Sequence, residues 1–173
     1  MSDRILDAAG RLFAERGVAA VGMAEIAEAA GCSRATVYRT YENRHMLRLA
    51  FVQREARRLG VAVAAKVRRI DDPARRLEVA VLSALSAVRS DPLLAAWFAE
   101  ESAGLAGGVA STSGVIDTLA ASFLGDAGDR RTRDAARWVV RVVVSFLTVP
   151  GTDAAEERRL VREFLVPSVL SGT

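Results

Sequence analysis

The chain has 173 residues, 51% of them hydrophobic and 26% charged, which is enough apolar material for one sizeable domain or two small ones. One cysteine, Cys32, excludes an internal disulfide, and one histidine, His45, leaves no cluster for a zinc or iron centre, so no metal and no cofactor are expected. The net charge of +3 is unevenly spread: residues 1–30 hold 3 Arg and 5 acids, residues 31–60 hold 7 Arg and 2 acids, and residues 61–173 are balanced at 14 and 14, so the positive excess sits in one window, as a footprint for a polyanion would.

Along the chain, Ile5, Leu6, Ala9, Leu12 and Phe13 recur at helical spacing, with Asp3 as an N-cap candidate and Gly17 placed to end the helix. Acids at positions 3 and 7 and the lack of a continuous apolar run do not fit a signal peptide, and a cytoplasmic protein is expected. A second short helix runs from Met23 to Ala30, with Met23, Ile26, Ala27 and Ala30 on one face, and stops at Gly31. Ser33 then caps a third helix in which Val37 and Tyr41 share an inward side. Two short helices joined by a tight turn containing glycine predict a helix-turn-helix, whose second helix, Arg34 to Tyr41, enters the major groove of DNA. Arginine suits the paired acceptors of guanine, while Thr and Tyr hydroxyls suit phosphate oxygens.

The run from Gly17 to Leu47, GVAAVGMAEIAEAAGCSRATVYRTYENRHML, resembles the N-terminal signature of the TetR family of regulators. Gly31, Ser33, Thr36, Val37, Tyr38, the aromatic at 41, the base at 44 and Leu47 carry the resemblance; Gly22, Cys32, Thr40, Tyr41, Arg44 and His45 depart from the commonest residues. The resemblance implies an all-α fold of about nine helices. A three-helix DNA-binding domain would occupy residues 1–45 and a helical ligand-binding and dimerisation domain residues 46–173. It makes Arg34, Ala35 and Arg39 candidates for base contact, with Thr36, Tyr38, Thr40 and Arg44 on phosphates, and places Ser33 and His45 at the same surface.

Past residue 44 a long helix is expected to run to about Arg69, and the pairs Asp72-Pro73 and Asp91-Pro92 each set a capping acid before a proline suited to a first helical position. Segment 102–114 is rich in small residues and reads as a loop, a broken helix or a lid. The stretch from Trp138 to Leu147 is rich in β-branched residues and fits either a buried strand or a buried helix; the family resemblance implies helix. As a helix it presents Trp138, Val142, Ser145, Phe146 and Val149 on one side and Val139, Val143 and Leu147 on another, too wide an apolar surface for one neighbour to cover. Interrupted by Arg141, this stretch falls short of the roughly 20 residues of a membrane span. Asp153 and Glu156 suggest a cap pair for a last helix with the stripe Leu160, Val161, Phe164 and Leu165.

A catalytic role fails on inventory, because there is no second histidine and the adjacent Glu100 and Glu101 would point about 100° apart on a helix. The expected partners are palindromic operator DNA, a small hydrophobic effector and a second copy of the chain. The effector is expected among Phe51, Trp97, Phe98, Phe123 and Trp138, and the dimer contact on Val139, Val143, Phe146, Leu147, Leu160, Val161, Phe164 and Leu165. A helix-turn-helix protein that shapes DNA or recruits proteins without any small ligand is the alternative. An apolar cavity between the long fourth helix and the Trp138 helix distinguishes the two.

Overall fold

The computed structural model describes residues 1–99, 104, 108, 114–124 and 129–171, and its regular elements are all helical. They are α1 (Ser2–Arg16), α2 (Met23–Ala29), α3 (Arg34–Thr40), α4 (Arg44–Val67), α5 (Pro73–Ser90), α6 (Pro92–Ala95), α7 (Gly114–Ser122) and α8 (Arg130–Thr148). A final rod follows, made of α9 (Ala154–Leu160), a π-helical turn (Val161–Leu165) and α10 (Val166–Leu170). Counting the rod once, the described helices with defined bounds number nine, as expected. Within the segment 102–114, Gly104, Gly108 and Gly114 are helical, and the rest lies outside the described residues, as do Glu100 and Glu101.

Side chains written into the sequence set most of the helix starts. Ser33 accepts the Thr36 N–H at 3.1 Å, Asn43 the Met46 N–H at 3.0 Å, Asp72 the Arg75 N–H at 2.7 Å and Asp91 the Leu93 N–H at 2.9 Å. Gly17 at φ 79° and Gly31 at φ 62° reverse the chain after α1 and α2 in the left-handed region, where a side chain would be strained. Two expected caps differ. Asp3 lies inside the first turn of α1, whose N-cap is Met1, so its carboxylate does not cap the helix; it favours the helix dipole and lies 3.9 Å from the Arg54 guanidinium. Asp153 does cap α9, taking the Glu156 N–H at 2.7 Å, but Glu156 reaches back to the N–H and hydroxyl of Thr152 at 2.6 and 2.7 Å, one residue before the cap.

Trp138 to Leu147 is helical, inside α8. β-Branched residues tolerate a helix when burial outweighs their small propensity deficit, and Val139 and Leu147 of this stretch are buried. In the final rod the Val166 N–H bonds to the carbonyl of Val161, five residues back, immediately before Pro167, which has no N–H to give.

Two larger cores result. The first joins Ile5, Ala9 and Phe13 of α1, Ile26 of α2 and Val37 of α3 to Leu47 and Phe51 of α4 and to Trp97 in the turn after α6. Its centre is an aromatic trio: Phe13 stands edge-on to Phe51 at 5.4 Å and to Trp97 at 5.7 Å, while Phe51 and Trp97 stack at 6.0 Å. The packing of the N-terminal helices therefore extends beyond residue 45. The second core joins Leu77, Val81 and Leu85 of α5 to Val139 and Leu147 of α8 and to Val161 and Leu165 of the final rod. It is clamped by Arg89, which donates from both terminal nitrogens to the buried Glu157 at 2.7 Å and also to the Phe146 carbonyl at 2.9 Å.

Candidate nucleic-acid interface and effector pocket

On α3 the inward residues are Val37, with no exposed surface, and Tyr41 just past the end, which shares a hydrogen bond with Ser2. The other side of the same helix presents Arg34, Ala35, Tyr38, Arg39 and Thr40 to solvent. Among the described residues neither Arg34 nor Arg39 enters an ion pair, so both guanidinium groups stay available to an outside anion. The hydroxyls are less free. Ser33 and Thr36 face each other at 2.9 Å at the helix start, and Thr40 donates back to the Thr36 carbonyl at 2.9 Å. Tyr38, 46% exposed, keeps its phenol on the surface, and His45 is exposed in the first turn of α4.

Arg44 is engaged within the chain in a way that its place in the sequence does not reveal. Its guanidinium donates to the carbonyls of Val18 and Ala19, in the turn between α1 and α2. One helical turn on, Arg48 is buried and donates to the same Val18 carbonyl. Burial, and then the positive charge of Arg44, push the Arg48 guanidinium down to about 10, still charged at neutral pH. The two arginines tie α4 to the turn that leads into the helix-turn-helix. Sequence reading missed Arg48 because a buried arginine and a solvated one look alike at i+4 from a surface base. At the start of α2, Gly22 supplies no hydroxyl; its N–H donates to Glu25 at 2.8 Å, and this bond, followed by the ion pair with Arg16, holds the Glu25 carboxyl below its ordinary range.

Between α4, α5, α7 and α8 lies an apolar cavity of about 220 Å³. Of the five aromatics expected around a ligand, Trp97, Phe98 and Phe123 line it, and Phe51 and Trp138 do not. Phe51 has no exposed surface and sits in the N-terminal core behind Trp97. Trp138 is 49% exposed on the outer side of α8, where its indole N–H donates to Ser168 of the final rod at 3.1 Å. The rest of the wall is aliphatic: Val52, Leu59 and Val63 on α4 face Val139, Val143 and Leu147 on α8. The spacing 52, 56, 59, 63 is a helical stripe, and that pattern was the signal in the sequence for the α4 wall. Glu55 is the charged residue of the lining; its carboxylate is taken by Arg54 at 2.8 Å and Arg58 at 3.2 Å. Arg54 also pairs with Asp7 of α1 at 2.8 Å, giving a second tie from the cavity wall to the N-terminal helices.

The residues expected at a dimer contact divide into two groups. Val139, Leu147, Val161 and Leu165 are at most 8% exposed in the single chain, and with Val143 in the cavity wall they serve the chain's own interior. Already out of water, the four buried ones have almost no apolar area left to give a partner. Phe164 is 66% exposed, and Leu160 and Phe146 are half-buried. Together with Trp138 they form an apolar outer side on α8 and the final rod.

The model for bacterial regulatory proteins of the tetR family matches residues 5–51, the three N-terminal helices and the start of α4. An uncharacterized HTH-type transcriptional regulator of Mycobacterium tuberculosis, strain H37Rv, is 50% identical over 171 residues, 97% of this chain and 85% of its own length. In fold, the chain is similar to RolR in complex with resorcinol, with a TM-score of 0.75 at 20% identity over 98% of this chain and 87% of that one. It is also similar to the Thermus thermophilus transcriptional repressor FadR in complex with lauroyl-CoA, with a TM-score of 0.67 at 19% identity over 98% of this chain and 95% of that one. With a helix-turn-helix whose outer side carries two arginines unpaired among the described residues, and with a relative of this identity along nearly its whole length, the chain belongs to the TetR family of bacterial transcriptional regulators.

Proposed function

We propose that this regulator is a homodimeric repressor that binds a two-fold symmetric operator through α3 and is released by a small apolar or amphipathic effector held between α4 and α8. The observation that carries the effector half is the cavity itself, because one wall residue, Trp97, is also part of the N-terminal core. An occupant that moved Trp97 would move Phe51 and Phe13 with it, and so the position of α1 and α4 relative to α3. Release requires that the effector bind the released spacing of the two α3 helices more tightly than the DNA-bound spacing. A cavity at this place favours the ligand-responsive reading over a helix-turn-helix protein that only shapes DNA. Ligands in structurally similar regulators, resorcinol in RolR and lauroyl-CoA in FadR, agree with it. The dimer would form on the outer side of α8 and the final rod, and the protein would act in the cytoplasm, where its operator lies.

The test joins both halves. Selection from a pool of random duplexes should return a site with two-fold symmetry. Small lipophilic compounds that raise the melting temperature should weaken binding to that site in the same rank order. Compounds that stabilise the protein without changing its affinity for DNA would refute release by an effector, and selection of a single asymmetric half-site would refute the dimer.

A further inference from the structure

Among the described residues, the wall of the cavity offers a ligand almost nothing but hydrocarbon. Its side chains are aliphatic and aromatic with one charged member, Glu55, whose carboxylate is held by Arg54 at 2.8 Å and Arg58 at 3.2 Å. Trp97 meets a ligand through ring carbons, because its indole Nε1 is buried away from any accessible surface. The backbone donors are spent as well. Wall residues on α4, α5 and α8 lie beyond the first turn of their helices, where each N–H bonds to the carbonyl four residues back. Trp97, Phe98, Phe123 and Leu124, past the ends of α6 and α7, donate to the carbonyls of Leu94, Ala95, Ala120 and Ala121 at 3.1, 3.0, 3.2 and 2.9 Å. An oxygen drawn inside would give up water and meet no donor, which weakens binding by about fivefold to a hundredfold. The volume, about 220 Å³, exceeds the roughly 150 Å³ of an engineered apolar cavity that stays dry and takes up benzene, so on the order of ten carbon atoms fit.

We infer that the effector enters this cavity as hydrocarbon alone, with on the order of ten carbon atoms inside, placed by shape and making no hydrogen bond to the wall. A plain hydrocarbon supplies that chemistry, and so does the apolar end of an amphipathic molecule whose polar group stays outside. This rests on the effector reading above and narrows it. Ala56 and Gly60 of α4 and Ala80 and Ala84 of α5 are the small residues of two neighbouring walls, and their missing side-chain volume sets the size of what can enter.

Three probes of equal heavy-atom count separate the possibilities: butylbenzene, benzyl ethyl ether, which puts an oxygen in the middle of the same chain, and 3-phenylpropan-1-ol, which puts it at the end. Binding to the full chain is read by equilibrium dialysis, and each probe's partition between water and hexadecane gives the scale for transfer into hydrocarbon alone. Butylbenzene should bind tightest, and its affinity ratio to the ether should equal the ratio of their partition coefficients. A neutral hydrogen bond is worth a factor of about threefold to tenfold. An ether that binds better than its partition by that factor has met a donor, which would overturn this inference and leave the effector reading intact. The alcohol distinguishes the two sources, and both of its outcomes agree with the inference: affinity that follows partition points to a plain hydrocarbon, and affinity above partition, with the ether still following it, points to an amphipathic molecule whose end reaches water. Ala56→Leu and Ala84→Leu, on different helices, should each lower butylbenzene affinity by about tenfold or more while DNA binding persists. Unchanged affinity in both would place the probe elsewhere and contradict the inference; should both fail to fold, the ether ratio in the wild type decides. Butylbenzene that binds as expected but leaves DNA affinity unchanged supports the hydrocarbon character of the cavity and refutes the effector reading. No binding of any probe to a protein that still binds DNA would overturn both.

Discussion

Arg34 and Arg44 look equivalent in a charge count, yet their surroundings separate them. Arg34 stands exposed and unpaired among the described residues, whereas Arg44 holds the Val18 and Ala19 carbonyls. Hydrogen bonds from a charged donor are worth more than neutral ones, so Arg44→Ala should lower the stability of the folded chain by about 1–2 kcal/mol in urea unfolding. Arg34→Ala should stay within about 0.5 kcal/mol of the wild type, as surface substitutions do. Equal stability of the two variants would show that the Arg44 tie contributes nothing to folding. The family resemblance implied that both arginines lie near DNA, and residue type and spacing treat them alike. Neither reports whether a guanidinium turns toward solvent or toward a carbonyl 25 residues earlier.

Helices were the most legible layer, since their signals are local: Ser33, Asp72, Asp91 and Asp153 all cap the elements they were expected to start. What a helix does with an apolar side was less legible. The stripe Leu160, Val161, Phe164 and Leu165 satisfies one period, but Val161 and Leu165 turn into the core while Phe164 turns out. The choice depends on where α5 and α8 lie, which no local pattern encodes. The Arg89–Glu157 clamp likewise joins residues 68 apart in sequence, on α5 and α9. The hydrogen bond from Arg89, opposed by burial and aided by the Gly151 N–H, holds the Glu157 carboxyl below its ordinary value of 4.5. Since the folded-state value is the lower one, the stabilisation is fully present above pH 4.5 and disappears as pH falls through the folded-state value. With Arg89 partly exposed, Arg89→Ala should cost about 2 kcal/mol at neutral pH, less than a fully buried pair. The gap to wild type should close as the solution is acidified below that point. A gap independent of pH in urea titrations would mean that the hydrogen bond to the Phe146 carbonyl, and not the ion pair, is what Arg89 supplies.

At the scale of the whole molecule, the aromatic trio and the Glu55–Arg54–Asp7 chain join the cavity to α1, so the cavity and the N-terminal helices share structure along α4 and at Trp97. The sequence reading picked five aromatics as one ligand group because they are scarce. The fold divides them among a core joint (Phe51), a cavity wall (Trp97, Phe98, Phe123) and an outer side (Trp138). Scarcity marks residues that matter, but only tertiary packing assigns them places. The account stands or falls on α3 reading DNA through its exposed arginines. The most direct measurement is the affinity of the wild type and of Arg34→Ala for the selected operator and for a scrambled duplex of the same length, across a range of salt concentrations. The account predicts a steep fall of affinity with salt for both duplexes, and a loss in Arg34→Ala of about 1–3 kcal/mol per half-site on the operator with a clearly smaller loss on the scrambled duplex. Equal losses on the two duplexes would contradict base reading by Arg34, and wild-type affinity that does not distinguish the two duplexes would contradict sequence reading by α3 altogether.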